Sequence, residues 1–581
     1  MRLALIIVFI FGVLASRTLI FQRGYFNMHD DLQMMRQLSM EKCFLDLQIP
    51  CRWIPDMGYG FGFPLFNFYP PLPYLVGEIF RVLGFSFVET AKLLFATAIV
   101  ASGVAMFYLA KEVFLPAGRQ VAIKGGVLAA IFYMWAPYHA VDVYVRGAMN
   151  ESWALIFFPL IFLFSYKLIT VHGSRFTVLL ALAWTGLLLS HNLMVMIFAP
   201  VFAVWCLLWL WLKKNKDFLH TTYYLLLAGI LALGLSAFFT FPAIFENKFT
   251  WLKSQLIGYY DYTAHFVDLN QLLISRFWDY GPSVWLEYDR MSFQIGHLHW
   301  MLPLFIIVIW LYSLITKKKK FLFINRKSLI IILFLFTVGW FSAFLTHVRS
   351  TPVWQGLPFL ALVQFPWRFL TLIIFSFSFL IGFLVIVFQK LIPKYYVLCT
   401  AIVVSVMIAM NWNYFLPEHG KMGKLTDKEK FSNAAWELQQ TAGIYDYLPI
   451  TAKEAPKAPQ KVLAEFMDPK TGEALKDQSG LTKMEQGTNW ARFTVKGAQS
   501  SVVRIGIFDF PGWKVKVDGE LIEHYIPEVE RWGRMWINVP EGTHQVVAQF
   551  TNTPVRSLSN MISLISWLTL AGIIVFKRKK K

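Results

Sequence analysis

The sequence predicts an α-helical polytopic membrane protein that carries a small β-sandwich towards its C-terminal end. Three observations carry that expectation. Of 581 residues 57% are hydrophobic and only 15% are charged, where a soluble domain has roughly a quarter. Apolar segments near membrane-spanning length recur along most of the chain. From Asn489 onward the pattern alternates, as in ARFTVKG, SVVRIGIFD, WKVKVDGE, RMWINVP and THQVVAQF, which is the period of half-buried strands.

A formal net charge of +19 would suggest nucleic acid in a soluble protein. Here much of the Lys and Arg sits between apolar segments and at the basic tail, as cytoplasmic loops facing anionic lipid do. No nucleic-acid partner is expected.

Taken in order, residues 3–20 read as a retained first span. Arg2 is the only charged side chain before them, and Arg17 after Ala15-Ser16 makes a poor cleavage context. Residues 22–85 then form a first outer loop. Asp30–Asp46 reads as an amphipathic helix lying on the membrane, with Leu32, Met35 and Leu38 at helical spacing. Gly58–Pro73 is barred from regular helix by Pro64, Pro70, Pro71 and Pro73, which remove donors and fix φ. A short interfacial helix, Tyr74–Leu83, follows.

Further apolar segments lie near 86–115, 125–139, 151–170, 176–190, 193–212, 220–241, 298–316, 328–346, 367–389, 395–412 and 557–576. With the first span they make about twelve crossings of a ~30 Å core. The even number places both termini on one side. The loops then assigned inside hold Arg119 and Lys124; Arg175; Lys213, Lys214 and Lys216; Lys317–Lys320 with Arg326 and Lys327; and Lys390 and Lys394, and the tail Lys577–Lys581 is basic too. The positive-inside rule therefore makes both termini cytoplasmic in a cell membrane. It sends 22–85, 140–150, Ser190–Asn192, 242–297, 347–366 and 413–556 outside. The domain reading is a transmembrane domain over 1–412, a polar connector over 413–488, an extracytoplasmic β-sandwich over 489–556, and a last span with its basic tail over 557–581. Asp518-Gly519 and Glu541-Gly542 supply the hairpin turns.

Candidate chemistry begins with His29-Asp30-Asp31, just after the first span. Two adjacent carboxylates in a partly desolvated place raise each other's pKa, a cost that calls for a return in function. Asp30 as an N-cap of the following helix accounts for one of them. A general base taking a proton from an acceptor hydroxyl accounts for either. The second outer loop, YHAVDVYVRGAMNESW, brings Asp142, Arg146 and Glu151 to a short turn. They form a headgroup-level salt-bridged loop, or Arg146 grips a phosphate. His191-Asn192 sits in a similar turn, where polar groups so deep in apolar sequence need partners. Arg368, in QFPWRFL, is an interfacial anchor beside Trp367 or a contact for an anionic headgroup.

Four cysteines show no metal spacing. Cys206 and Cys399 lie in apolar runs, as buried small hydrophobes do. Cys43 and Cys51 share the first outer loop, where an oxidising compartment permits a disulfide. The sequence has no P-loop, no Gly-x-Gly-x-x-Gly after a strand, no His-Glu-x-x-His and no Cys-x-x-Cys. An outward-facing transferase without nucleotide chemistry needs a donor already activated on a lipid.

The stretches HDDLQ, FYPPLPYLVGEIFRVLG, YVRGAMNES, LLSHN, QFPWRF and FPGWKVKVDG together resemble bacterial membrane proteins labelled 6-pyruvoyl-tetrahydropterin-synthase-related and the wider YfhO-like group. These in turn look like the GT-C superfamily of polytopic glycosyltransferases. The synthase part of the label does not transfer, because the soluble synthase needs a zinc cluster that this chain lacks. The resemblance implies a GT-C-like fold and transfer of a sugar from a polyprenyl-phosphate donor to an extracytoplasmic glycan, lipid or protein. Its catalytic base is Asp30 or Asp31. His29, Arg146, Glu151, His191, Asn192 and Arg368 then line the lipid-phosphate and substrate site. In some relatives a divalent metal, Mg or Mn, assists the leaving phosphate. Asp142 or Glu151 is placed to hold one, and cationic side chains can serve instead.

Two other classes fit a polytopic, inwardly basic chain. A lipid or glycan transporter or flippase usually shows paired broken helices in repeated halves, and no repeat is visible here. A non-catalytic envelope scaffold would use the β-sandwich for binding and would tolerate loss of Asp30 and Asp31.

Overall fold

Local sequence chemistry sets many of the element ends. Ser86 and Glu89 form a capping box: the Ser86 hydroxyl accepts from the Glu89 N–H at 3.1 Å, and Glu89 Oε2 accepts from the Ser86 N–H at 2.9 Å. This reciprocal pair satisfies two orphan donors and starts the helix Phe87–Phe114. The helix Arg119–Met134 stops where Pro137 removes a donor. The chain bends there by 46° and continues as Pro137–Val145, whose last five residues form a π-turn.

The computed structural model describes every residue except 214–217, 252–255, 286–287, 317–325 and 580–581. Lys214, Lys216, Lys317–Lys320, Lys580 and Lys581, on which the expected orientation partly rests, lie outside the described residues.

The chain is a predominantly helical, polytopic membrane protein with a C-terminal β-sandwich. Among the described residues eight helices are long and apolar enough to cross a membrane, or nine if the bent pair Arg119–Met134 with Pro137–Val145 is one span. The expected figure of about twelve also drew on Arg2–Ala15 and Ser174–Leu188, which are shorter apolar helices, and on the last helix, Pro554–Lys579. The first segment is short because it breaks at Ser16, after which Arg17–Phe21 makes a separate helix.

The fold divides into two compact units. One comprises Met1–Gln33, Leu83–Ala232 and Leu256–Thr426. Within it Phe87–Phe114 packs against Arg2–Ala15, Arg119–Met134 and Met149–Thr170. Leu370–Ile381 is buried along its whole length. Its Phe375 takes edge contacts from Phe158, Phe162 and Phe198, an arrangement that aromatic quadrupoles favour.

The other unit comprises Met34–Val82, Leu233–Gln255 and Asp427–Lys581. Its sandwich has a three-stranded sheet of β1 (Ala464–Phe466), β4 (Ser501–Phe508) and β7 (Arg534–Val539), in the order β1-β4-β7. The facing sheet has the order β2-β3-β8-β5-β6, with β2 Leu481–Gln486, β3 Trp490–Gly497, β5 Trp513–Val517, β6 Glu520–Ile522 and β8 Gly542–Phe550. All pairings are antiparallel. Trp513, Val515 and Val517 are buried while Lys514 and Lys516 are exposed, as the alternation requires. Asp518 (φ +48°) and Gly519 (φ +91°) make the left-handed turn that a two-residue hairpin needs. β1 and β2 fall within 413–488, the expected connector. They are short, and β2 is mostly polar and exposed, so no alternation marked them.

In the same unit Trp53 and the Gly- and Pro-rich stretch that follows it pack into the sandwich. Trp53 meets Trp513 edge-on at 5.4 Å and Phe550 at 5.3 Å, and Phe61 lies 5.7 Å from Phe508. The Phe508 N–H donates to the Phe61 carbonyl at 2.9 Å. The preceding helix corrects an expectation. It spans Gln33–Leu45, and Met34, Met35, Arg36, Gln37, Ser39, Met40 and Cys43 are all buried. It therefore does not present a polar face to water. Gln37 donates to the Tyr74 carbonyl at 3.1 Å, and the Arg36 guanidinium lies 4.2 Å over the Tyr69 ring. The helix expected at Tyr74–Leu83 spans Leu72–Val82. Cys43 and Cys51 are joined in a disulfide, and Cys206 and Cys399 are free. Two buried guanidinium groups brace the start of the last helix. Arg556 donates to Glu246 at 2.8 Å, and Arg52 donates to Asn560 at 2.7 Å and Asn67 at 3.2 Å. Burial pulls Arg52 down to about 9, with help from Arg556.

Candidate functional site

The site lies wholly in the helical unit and is built on the bend after Met134. The π-turn Val141–Val145 places Asp142 and Arg146 on the inner side of the loop, and Met149–Thr170 begins immediately after with Glu151 in its first turn. All three are buried. Arg146 donates to Asp142 through Nη1, to the Tyr138 hydroxyl at 3.1 Å, and through Nη2 to Glu151 Oε2 at 3.0 Å. Tyr138 in turn donates to Glu151 Oε1 at 2.7 Å. Arg368, at the start of another span, brings its Nε to 3.5 Å from the same Glu151 oxygen. Two guanidinium groups more than two hundred residues apart in the chain thus share one carboxylate. Charge-assisted contacts of this kind are the strong ones in a buried setting.

Aromatic faces complete the guanidinium surroundings. The Arg146 guanidinium carbon lies 4.5 Å from the centre of the Trp367 ring, and that of Arg368 lies 4.9 Å from the Phe365 ring, which is cation–π range. Arg368 also donates to the Val363 carbonyl at 2.7 Å and to Gln364 Oε1 at 3.0 Å. Its Nε makes no hydrogen bond, nor does Asp142 Oδ2, among the described residues.

The His29-Asp30-Asp31 segment is docked on this loop by its backbone. The His29 N–H donates to the Val145 carbonyl at 3.0 Å and the Asp30 N–H to the Arg146 carbonyl at 2.9 Å. Gln33 adds a bond to the Gly147 carbonyl at 2.7 Å. Gly147 has a φ of +64°, and a Cβ there would sit 2.3 Å from the Met28 sulfur. Only glycine lets the two segments approach so closely. His29 reaches through Nε2 to the Tyr280 carbonyl at 2.9 Å. Asp30 and Asp31 are half-buried.

His191 and Asn192 occupy the turn before Asn192–Lys213. His191 Nδ1 accepts from the Leu193 N–H at 3.2 Å, which leaves the ring proton on Nε2 when the ring is neutral. Loss of water pushes His191 down to about 3, although the Glu151 carboxylate pulls it up. Asn150 ties this turn to the arginine loop by donating to the Ser190 carbonyl at 2.8 Å. Asn192 is exposed.

The structure therefore brings together Asp30, Arg146, Glu151, Arg368 and His191, with Asp142 behind Arg146. Tyr138, Gln33 and Asn150 complete the arrangement and were not singled out in the sequence, and Trp367, which read only as the neighbour of an interfacial anchor, joins them. The Mg or Mn considered at Asp142 finds no ligand set: among the described residues no three His, Cys, Asp or Glu side chains converge to hold a metal. Asp142 instead faces the Arg146 guanidinium, so no step is routed through a metal.

No protein-family model matches the chain. It is 26% identical over 321 residues to a protein of Lactococcus lactis subsp. cremoris (strain MG1363) described as uncharacterized, a match covering 54% of this chain and 50% of that one. The arabinofuranosyltransferase AftD from Mycobacteria superposes with a TM-score of 0.41 at 12% identity, over 71% of this chain and 27% of AftD. The chain thus spans about half the length of the Lactococcus protein and about a quarter of AftD.

Proposed function

We propose that the protein is an integral membrane glycosyltransferase of GT-C type, which moves a sugar from a polyprenyl-phosphate donor to an extracytoplasmic acceptor. One observation carries the reading: the Asp30 N–H donates to the Arg146 carbonyl at 2.9 Å, which ties the segment that bears the acidic pair to the loop that bears Arg146. Glycosyl transfer from a lipid phosphate needs that combination. Asp30 or Asp31 accepts the proton of the acceptor hydroxyl. The hydroxyl oxygen bonds to the anomeric carbon, the bond from that carbon to the phosphate oxygen breaks, and its electron pair leaves on the lipid phosphate. Arg368 and Arg146 stabilise the departing charge, as fixed cations do in a site from which water is excluded. At rest Glu151 faces both guanidinium groups and holds them in position. The basic inner loops and the Cys43–Cys51 disulfide support an extracytoplasmic setting for the outer loops, since disulfides persist in oxidising compartments.

The test uses membranes containing the full chain, labelled polyprenyl-phosphate sugars, and the variants Asp30→Asn and Asp31→Asn. Asparagine keeps size and capping ability and removes basicity. One variant should lose about 10²–10⁴-fold in transfer rate while its melting in detergent is unchanged, with Asp30 favoured because it lies nearer the end of the first span. Near-normal turnover in both variants would overturn the assignment of the base. No transfer from any polyprenyl-phosphate sugar by the unaltered protein would overturn the activity.

A further inference from the structure

A ladder of aromatic rings leads outward from the arginine cluster within the helical unit. Trp367, under the Arg146 guanidinium, stacks on Phe365 with centroids 4.7 Å apart and planes 19° from parallel. Phe365 meets Tyr259 at 5.9 Å, Tyr260 at 6.2 Å and His265 at 4.7 Å. Phe365 and Trp367 are buried, whereas Tyr259 is 50% exposed. The ladder therefore begins at a buried charge and ends on a half-exposed tyrosine.

That outer ring is held from behind. His265 Nε2 bonds the Tyr259 carbonyl at 2.5 Å, and His265 Nδ1 meets Ser283 Oγ at 2.9 Å. Ser283 Oγ also accepts from Trp367 Nε1 at 3.2 Å. One chain of polar contacts thus fixes the Tyr259 backbone to the residue beneath Arg146. A tyrosine ring with two side-chain torsions, fixed in this way, offers contact area at little cost in conformational entropy.

We propose that Tyr259, backed by Tyr260 and Phe365, is the platform on which a sugar ring lies in this site. The proposal deepens the transferase reading and rests on it. An aromatic face is negative and attracts the weakly positive C–H edges of a saturated ring. Sugars present such a face on one side and hydroxyls round the rim. The phosphate of a lipid-linked donor would lie at the guanidinium end of the ladder and the sugar at the tyrosine end. A water-soluble acceptor sugar shares that ring chemistry.

The experiment is saturation-transfer NMR on the full chain in lipid nanodiscs, in two arms. One arm uses methyl glycosides of glucose, galactose, mannose and arabinofuranose. The other uses a short-chain polyprenyl-phosphate sugar. Signals on the ring C–H protons are expected for at least one glycoside or for the donor sugar, and which arm responds distinguishes acceptor from donor. Tyr259→Ala should weaken binding about tenfold, as loss of a stacking face does for nucleic-acid bases, and should raise KM more than it lowers kcat. Tyr259→Phe should retain both, because it keeps the face. Unchanged binding and KM in Tyr259→Ala, or no ring-proton signal in either arm, would overturn the platform. The two readings fail separately. Tyr259-dependent binding without transfer would sink the transferase and leave a sugar site. Transfer with an unaltered KM in Tyr259→Ala would sink the platform alone. A tyrosine that serves only as a membrane-interface anchor would lower melting in nanodiscs and leave both sugar arms intact, which also refutes the proposal.

Discussion

Replacing Glu151 by Gln tests whether one carboxylate holds the arginine cluster together. Glu151 accepts from Arg146 at 3.0 Å and from Tyr138 at 2.7 Å, and it faces Arg368 at 3.5 Å. Unit charges at 3.0–3.5 Å attract by about 5 kcal/mol at an effective dielectric of ~20. Desolvation offsets much of that gain, so the net worth of each pair is smaller than the attraction. Removing one partner is the expensive step, because the stranded charge keeps its desolvation cost; for a buried pair this is about 3–5 kcal/mol. Glu151→Gln removes the carboxylate that faces Arg368 while Arg146 keeps Asp142, and should fall within that range. Arg368→Gln leaves Glu151 still bonded to Arg146 and Tyr138 and should cost less. The double variant should be less destabilised than the sum, since both members of one pair are then gone. Unfolding in mixed micelles with rising fraction of denaturing detergent supplies the free energies. A loss below about 1 kcal/mol for Glu151→Gln, or strict additivity in the cycle, would refute the shared-anchor argument.

Three further outcomes are expected. With a sequence separation of 8, opening the Cys43–Cys51 bond should cost about 2.5 kcal/mol by the loop-entropy relation, and in a chain whose free Cys206 and Cys399 are replaced by Ala, gel-shift thiol labelling should require prior reduction. At Gly24, with φ +83°, a Cβ would lie 1.7 Å from the Gly423 carbonyl oxygen, so Gly24→Ala must break the Tyr25–Gly423 bridge and should lower melting by more than an Ala substitution at Gly84, where nothing lies within 4 Å. Burial raises Glu78 to about 7 from an ordinary 4.5; the folded state therefore holds a proton that the unfolded chain has already released, stability is fully present below about pH 4.5 and is lost as pH rises through about 7, and melting at pH 8 should be lower than at pH 5.5 in the wild type and flatter in Glu78→Gln.

The sequence by itself determined the fold class. Spans and strands are properties of local pattern: a run of apolar residues must satisfy its own backbone in lipid, and alternation must bury one face of a sheet. The Ser86–Glu89 cap and the Asp518-Gly519 turn were likewise decided within a few residues. Every residue singled out around the arginine cluster was visible as an oddity, because charge beside apolar sequence is costly wherever it lands. What only the tertiary structure decided was the pairing. Nothing in QFPWRF says that Arg368 meets Glu151, and nothing in HDDLQ says that its backbone bonds the Arg146 loop. The helix Gln33–Leu45 shows the reverse error: its pattern looked amphipathic, yet its Gln37 and Arg36 are buried against Tyr74, Glu78 and Tyr69. A polar residue signals only that it needs a partner, and whether that partner is water, lipid headgroup or a buried side chain is set by contacts between segments far apart in the chain.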